Sequence, residues 1–205
     1  MSKNIWVYSD THYNHRNICG PTLSNWDKGY REFDSLEEME SLFVDNISKL
    51  IKPGDKVLFG GDFLMGPDKL SNFSRLWNKL PKCETIFIRG NHDDEWMLKG
   101  DNLKEVEKII GAKTYEKWRG NLGGRNFFVD HYPYRSWPEM SKGYLHLYAH
   151  CHNTLPPYGK SCDIGFDTFH NGHKKYTPYN IDEIISFLDK QSYQNTDDHH
   201  INKTL

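Results

Sequence analysis

Short apolar runs that read as strands recur along the chain: Asn4 to Ser9, Lys56 to Phe59, Thr85 to Arg89, Asn126 to Asp130 and Tyr144 to Tyr148. Between the early runs the apolar residues fall at helical spacing instead. Leu36, Met39, Phe43, Ile47 and Leu50 form one stripe, introduced by Ser35 and Glu38 at the spacing of a capping box. Leu70, Phe73, Leu76, Trp77 and Leu80 form a second stripe, and Leu103, Val106, Ile109 and Ile110 a shorter third. Pro53-Gly54-Asp55 stops the first helix, and Gly120 to Arg125 reads as a turn between strands. A closing helix runs from about Ile181 to Lys190, capped by Asn180 with Glu183. A β-α-β-α-β order followed by a strand-rich half predicts an α/β layered fold with a mixed sheet or two sheets. Without repeat or linker, residues 1–190 read as one domain, and 191–205 as a polar, frayed tail.

At 205 residues, the chain is long enough to bury a core without disulfides or a structural metal. Cys19, Cys83, Cys151 and Cys162 form no CxxC pair, so reduced thiols are expected. No apolar run approaches the roughly 20 residues that cross a bilayer, and the N-terminus enters a strand without a signal-peptide pattern. A cytoplasmic protein with no membrane partner is expected. Lys and Arg total 26 against 28 for Asp and Glu, a balance that speaks against long duplex nucleic acid but not against a short nucleotide.

The residues suited to metal chemistry gather where strands end. The first strand runs into Asp10-Thr11-His12, whose two outer residues would share one side of extended backbone. The second ends in Gly60-Gly61-Asp62 and the third in Gly90-Asn91-His92-Asp93. Asp130-His131-Tyr132 and Tyr148-Ala149-His150-Cys151-His152 follow later strands. Strand C-termini on one edge of an α/β sheet are where ligand sites form. Each motif alone is weak, but random placement would rarely align all five.

In this order (D-x-H, G-D, G-N-H-D, H, x-H-x-H) the chain resembles the calcineurin-like metallophosphoesterases. The surrounding residues are similar to a small prokaryotic and phage branch: His15 and Asn17-Ile18 after the first motif, His131-Tyr132-Pro133, and Asp163-Ile164-Gly165-Phe166-Asp167. The resemblance implies an αββα sandwich of two mixed sheets flanked by helices, with two divalent metals at its open edge. It places Asp10, His12 and His152 on one metal, Asn91, His131 and His150 on the other, and Asp62 between both, with His92 beside them as an acid. Ala149 stands where the family usually has glycine.

That ligand set suits Mn first, with Fe, Zn or Ni as alternatives. Two such ions ~3.5–4 Å apart supply a hydroxide for in-line attack and clamp the phosphoryl oxygens. His92 is placed to protonate the departing alkoxide, with Asp93 or Asp94 as orienting partner. The expected activity is phosphate-ester hydrolysis, leaning to phosphodiesters of nucleotide-like molecules, because no arginine lies inside a motif to clamp a terminal phosphate; Arg16, Arg89, Arg119 and Arg135 come nearest. The alternatives are a phosphomonoesterase on the same site, a non-catalytic scaffold of this fold, and an HNH-type nuclease built on Asp130-His131 and His150 to Asn153.

Other conspicuous residues read more plainly. His15 and Asn17 either touch substrate or order their loop, and Asp163 and Asp167 read as structural. His170, His173, Lys174 and Lys175 form a basic patch better explained as a solvated face. His199 and His200 fall in the tail. Among Tyr13, Phe63, Trp96, Tyr132, Tyr134 and Trp137, several could wall a pocket that stacks a base.

Overall fold

A computed structural model describes residues 3–168 and 173–193. His170 of the basic patch and His199 and His200 lie outside the described residues, as does the tail from 194 onward.

Alternation along the first strands sorts the molecule into layers. In β1 (Ile5–Tyr8), β2 (Lys56–Phe59) and β3 (Glu84–Ile88), the residues Val7, Leu58 and Ile88 face one core, while Tyr8, Val57, Phe59 and Phe87 face another. The outward core is covered by α1 (Leu36–Leu50), α2 (Lys69–Trp77) and α4 (Asn102–Ile110), through stripes that include Met39, Phe43, Ile47, Phe73, Leu76 and Val106. The inward core meets Phe127 and Val129 of β6 (Arg125–Asp130) and Leu145 and Leu147 of β7 (Leu145–Tyr148). Helix α5 (Ile181–Asp189) joins this core with Ile181, Ile184 and Leu188.

The first sheet has the order β4-β3-β2-β1-β9, with β4 at Thr114–Tyr115 and β9 at Tyr179–Asn180; β1 to β4 are parallel and β9 is antiparallel. The second has the order β5-β6-β7-β8, with β5 at Lys117–Leu122 and β8 at Ser161–Asp163, antiparallel at β5/β6 and parallel thereafter. Two mixed sheets face to face with flanking helices are the expected architecture. The layer over the second sheet is thin: Phe128 is covered by Trp137 and Met140, at a 3-10 turn over Met140–Lys142.

The capping signals act as read, with one shift. Ser35 Oγ accepts from Glu38 N at 3.0 Å, but Glu38 reaches back to Asp34 N instead of its own cap. Asn180 and Glu183 close a full box. The expected turn at Gly120 to Arg125 is mostly strand: β5 runs through Gly120, which lies against the Trp118 ring, and the turn is confined to Gly123 and Gly124. Helix α3 (Asn91–Met97) was not foreseen, because seven residues with five polar ones at its start carry no apolar period. All four cysteines are free, and among the described residues no helix is long and apolar enough to cross a membrane.

Candidate metal centre

All five motifs emerge at one edge of the sandwich, past the ends of β1, β2, β3, β6 and β7. Their loops are stitched together by backbone: Asp10 N donates to Gly61 O at 2.9 Å, His12 N to Asp62 O at 3.1 Å and Ala149 N to His131 O at 2.9 Å. Ala149 is fully buried and is not among the residues with left-handed backbone, so its methyl is accommodated.

Two sets of ligand atoms converge. Asp10, His12 and His152 form one and Asp62, His131 and His150 the other, each with its atoms within 4.8 Å of one another. The sets meet at one carboxylate oxygen: Asp62 Oδ2 lies 3.8 Å from His12 Nε2 and 3.3 Å from His131 Nε2. His12 Nε2 is also 3.7 Å from Asp10 Oδ1 and 3.1 Å from His152 Nε2. Asn91 opens α3 next to Gly90, where a side chain would overlap the Asp62 carboxylate. Its Oδ1 is buried and has no hydrogen-bond partner, and the same is true of His131 Nε2. Buried polar atoms are rarely left unpaired, and His131 Nε2 lies within the second group of candidate ligand atoms.

Asp10 and His12 do not reach the site by strand alternation. Both have left-handed backbone, with φ of 54° and 45°, as do Asp62 at 58°, His150 at 69° and His152 at 46°. Such angles are uncommon outside glycine and cluster where function over-determines the backbone. Gly61, with φ of 106°, leaves room for the His131 ring, since a Cβ there would sit 2.7 Å from its Nδ1.

Two of the imidazoles are oriented from behind. His131 Nδ1 donates to Gly60 O at 2.9 Å, which turns Nε2 to the cluster. His152 Nδ1 donates to Asp167 Oδ2 at 2.6 Å. Asp167 is gripped by the buried Arg31, through Nε to Oδ1 at 2.9 Å and Nη2 to Oδ2 at 2.7 Å. The same guanidinium donates to Thr11 O at 2.8 Å and Asp10 O at 2.5 Å, tying the first motif to the last. Sequence reading missed Arg31 and took Asp167 as merely structural. The signal lies only in three-dimensional pairing across 136 positions. Asp163 does act structurally, accepting from Gly165 N and Asn153 N.

The charges are strongly coupled. Burial pushes the Asp10 carboxyl up to about 7 and the His12 imidazole well below its ordinary value. Burial also opposes charge on Asp62, but the adjacent His131 imidazole outweighs it and holds that carboxyl far below the usual range. His131 is raised to about 9: burial works against its charge, and the Asp62 contact with the Asp10 and Asp62 charges overcomes it. Asp10 and His131, whose pKa values are raised, hold protons that a bound divalent cation would displace, while Asp62 and His12 are already inclined to the deprotonated form a metal needs. Donor chemistry, unpaired atoms and electrostatics all fit metal.

His92 follows Asn91 and donates its backbone N–H to Asp62 Oδ1 at 2.9 Å. Its ring lies 5.6 Å from that of His12. Neither expected orienting partner serves it. Asp93 is buried and accepts from Asp62 N, Phe63 N and Gly90 N, clamping two motif loops together. Asp94 pairs with Arg89 at 2.6 Å. Glu95 is the neighbour, with Oε1 3.4 Å from His92 Nδ1 but without hydrogen-bond alignment.

Other expectations sort as follows. Tyr13, Phe63, Trp96 and Trp137 are core, and Tyr132 lies over His150 with ring centroids 4.7 Å apart. Tyr134 donates to Asp130, which also pairs with Lys117 at 3.2 Å, so Asp130 stands apart from the ligand groups and the nuclease hairpin is not formed. His173 stacks on Tyr179 at 3.7 Å and bonds Thr177, as a packing residue does. A cavity of about 460 Å³ opens beside His12, His92 and His152, walled in part by His15, Trp26 and Tyr30, of which the last two were not singled out from sequence.

The chain is 26% identical over 195 residues to an uncharacterized protein of Methanocaldococcus jannaschii, covering 92% of this chain and 93% of that one. A crystal structure of a protein of unknown function from Aquifex aeolicus shares the fold, with a TM-score of 0.60 at 21% identity, over 90% of this chain and 99% of that one. A structure described as a novel archaeal phosphodiesterase superposes more loosely, with a TM-score of 0.45 at 18% identity, over 79% of this chain and 82% of that one. The family model of the calcineurin-like phosphoesterases matches residues 3–199. The chain therefore belongs to the calcineurin-like phosphoesterase family, and with it to the hydrolases that act on phosphate esters.

Proposed function

We propose that the chain hydrolyses phosphate esters with two divalent ions, Mn first among Mn, Fe, Zn and Ni, and that nucleotide-like phosphodiesters are its substrates. The observation that carries the dinuclear reading is the placement of one oxygen, Asp62 Oδ2, between His12 and His131. Asp10, His12 and His152 would hold one ion, Asn91, His131 and His150 the other, and Asp62 both. When bound, such a pair polarises the phosphoryl oxygens and activates the attacking water.

The remaining work falls to the chain. Gly60 O and Asp167 fix which nitrogen of His131 and His152 faces the centre. The His92 backbone N–H holds Asp62 Oδ1, leaving Oδ2 turned inward. The His92 ring, at the cavity edge, would hold a proton for the departing oxygen. The lean to diesters is supported by the guanidinium nearest the centre: Arg31 is spent on Asp167 and two carbonyls, and Arg89 and Arg119 turn to Asp94 and Glu139.

Chelation tests the metal reading: hydrolysis should stop, and Mn should restore it better than Mg, because imidazoles outnumber carboxylates. Full activity in metal-free protein would overturn it. Bis-nitrophenyl phosphate should be cleaved with higher kcat/KM than nitrophenyl phosphate. A monoester preference of about tenfold, ~1.4 kcal/mol in barrier, would reverse the diester lean and leave the metal reading standing.

A further inference from the structure

The aromatic residues next to the motifs in sequence are mostly unable to meet a substrate, since Tyr13, Phe63, Trp96 and Trp137 are at most 6% exposed. Rings from elsewhere line the cavity beside His12 and His152 instead. Its walls carry Trp26, His15, Tyr30 and Tyr176, with Thr154 and Lys175 among its polar groups. At about 460 Å³ it falls in the usual range of small-molecule sites, roughly 300–1,000 Å³. The larger groove along α2 and α4 has neither an aromatic ring nor a histidine in its lining.

Three of these rings pack on neighbouring rings. Trp26 is 44% exposed, yet its backbone N–H donates to Ser24 Oγ at 3.0 Å and its ring stands at 89° to that of His15, 5.5 Å away. His15 in turn lies 5.9 Å from His12, ring to ring. On the inner side Tyr176 packs on Phe33 and Phe43, with centroids 5.3 Å from each. A single exposed tryptophan is unremarkable. Four rings around one cavity that opens beside the centre give it an aromatic wall with polar groups at its edge.

We infer that this cavity is a base-holding subsite, in which the Trp26 ring, braced edge-on by His15, offers a stacking face to the nucleobase of a nucleoside phosphate ester while its phosphate meets the Asp10–His12–His152 side of the centre. The inference rests on the phosphoesterase reading above and names the substrate class for it. Because His92 lines the same cavity, the base belongs to the alcohol that His92 would protonate as it leaves. Stacking on an aromatic face is tolerant of base identity, so the cavity selects for a base and not for one particular base.

Calorimetric titration of Mn-loaded protein with adenosine 5′-monophosphate and with ribose 5-phosphate isolates the base, since the two share sugar and phosphate. The monophosphate should bind about tenfold tighter or more, within the range of base–aromatic stacking. Trp26→Ala should bring the two affinities within about twofold, and Trp26→Phe should keep most of the difference. Equal affinities in the unaltered protein, or a ratio that survives Trp26→Ala in a variant with unchanged Tm, would overturn the subsite. Hydrolysis of bis-nitrophenyl phosphate and of nitrophenyl phosphate by the same samples tests the other reading: absence of both sinks the proposed activity, while the ratio of affinities still decides the subsite.

Discussion

The two candidate ligand groups are built from similar side chains but braced in different ways. On the side of Asp10, His12 and His152, the support is ionic: Arg31 holds Asp167, Asp167 holds His152, and Arg31 also holds the carbonyls of Asp10 and Thr11. Burial works against charge on Asp167, but Arg31 and His152 keep its carboxyl far below the ordinary range. That brace stays charged over any working pH. On the side of Asp62, Asn91, His131 and His150, no arginine takes part, and the buried Asp93 carboxyl accepts from the backbone of Asp62, Phe63 and Gly90. Backbone groups of Gly60 and His92 fix His131 and Asp62. The loop after His131 is tied to β7 by a buried, uncharged imidazole: His146 Nε2 accepts from Tyr134 N at 3.2 Å and Nδ1 donates to Phe128 O at 3.1 Å. One group therefore answers to the loss of an ion pair and the other to acid.

The comparison breaks most completely at the oxygen both groups share. Asp62→Asn should weaken both metals together and reduce hydrolysis to background, as metal titration and kcat would show; loss of one metal alone would mean that Asp62 serves one group. The next largest effect lies beside the groups. His92→Asn should keep both metals and lower kcat by ~10²–10⁴. That loss should shrink for nitrophenolate leaving groups, which need little protonation. An equal loss across leaving groups would count against the acid role.

The ionic brace is next. Asp167→Asn should weaken metal at the His152 group by ~10–100-fold, the usual effect of removing an outer-shell partner, and leave the His131 group unchanged. Because it strands the buried Arg31, it should also cost ~3–5 kcal/mol of folding stability. Equal weakening at both metals would dissolve the distinction drawn above.

The smallest effect is that of acid on the His146 brace. Burial lowers the His146 pKa to about 4, against ~6.5 in the unfolded chain. Between these values the unfolded state binds more protons, so stability falls as pH drops from 6.5 towards 4, by about 3 kcal/mol from this residue. Urea unfolding of metal-free protein should show this acid loss reduced in His146→Gln relative to the unaltered chain. An identical pH dependence in the two would remove His146 from the account.

What could be read in advance follows from how local each signal is. The α1 stripe and the Ser35 and Asn180 caps depend on residues three or four apart, so they were legible. The motif residues were legible because they follow strands whose apolar runs are plain, although the backbone that presents Asp10 and His12 is left-handed and not extended. The two-residue strands β4 and β9 have no room for a pattern. Arg31 sits on no motif and pairs with a carboxylate far along the chain, and nothing in its neighbours distinguishes it from a surface arginine. Trp26 lies in a polar loop where one aromatic residue reads as incidental.

Five of the seven proposed ligand positions, Asp10, His12, Asp62, His150 and His152, hold backbone angles that favour glycine. Each such residue carries a conformational penalty of order 1–3 kcal/mol, accepted only for what its side chain does. In a descendant released from selection for catalysis, these positions become the cheapest route to a firmer fold. Glycine or asparagine should appear there first, ahead of any drift in the sheets.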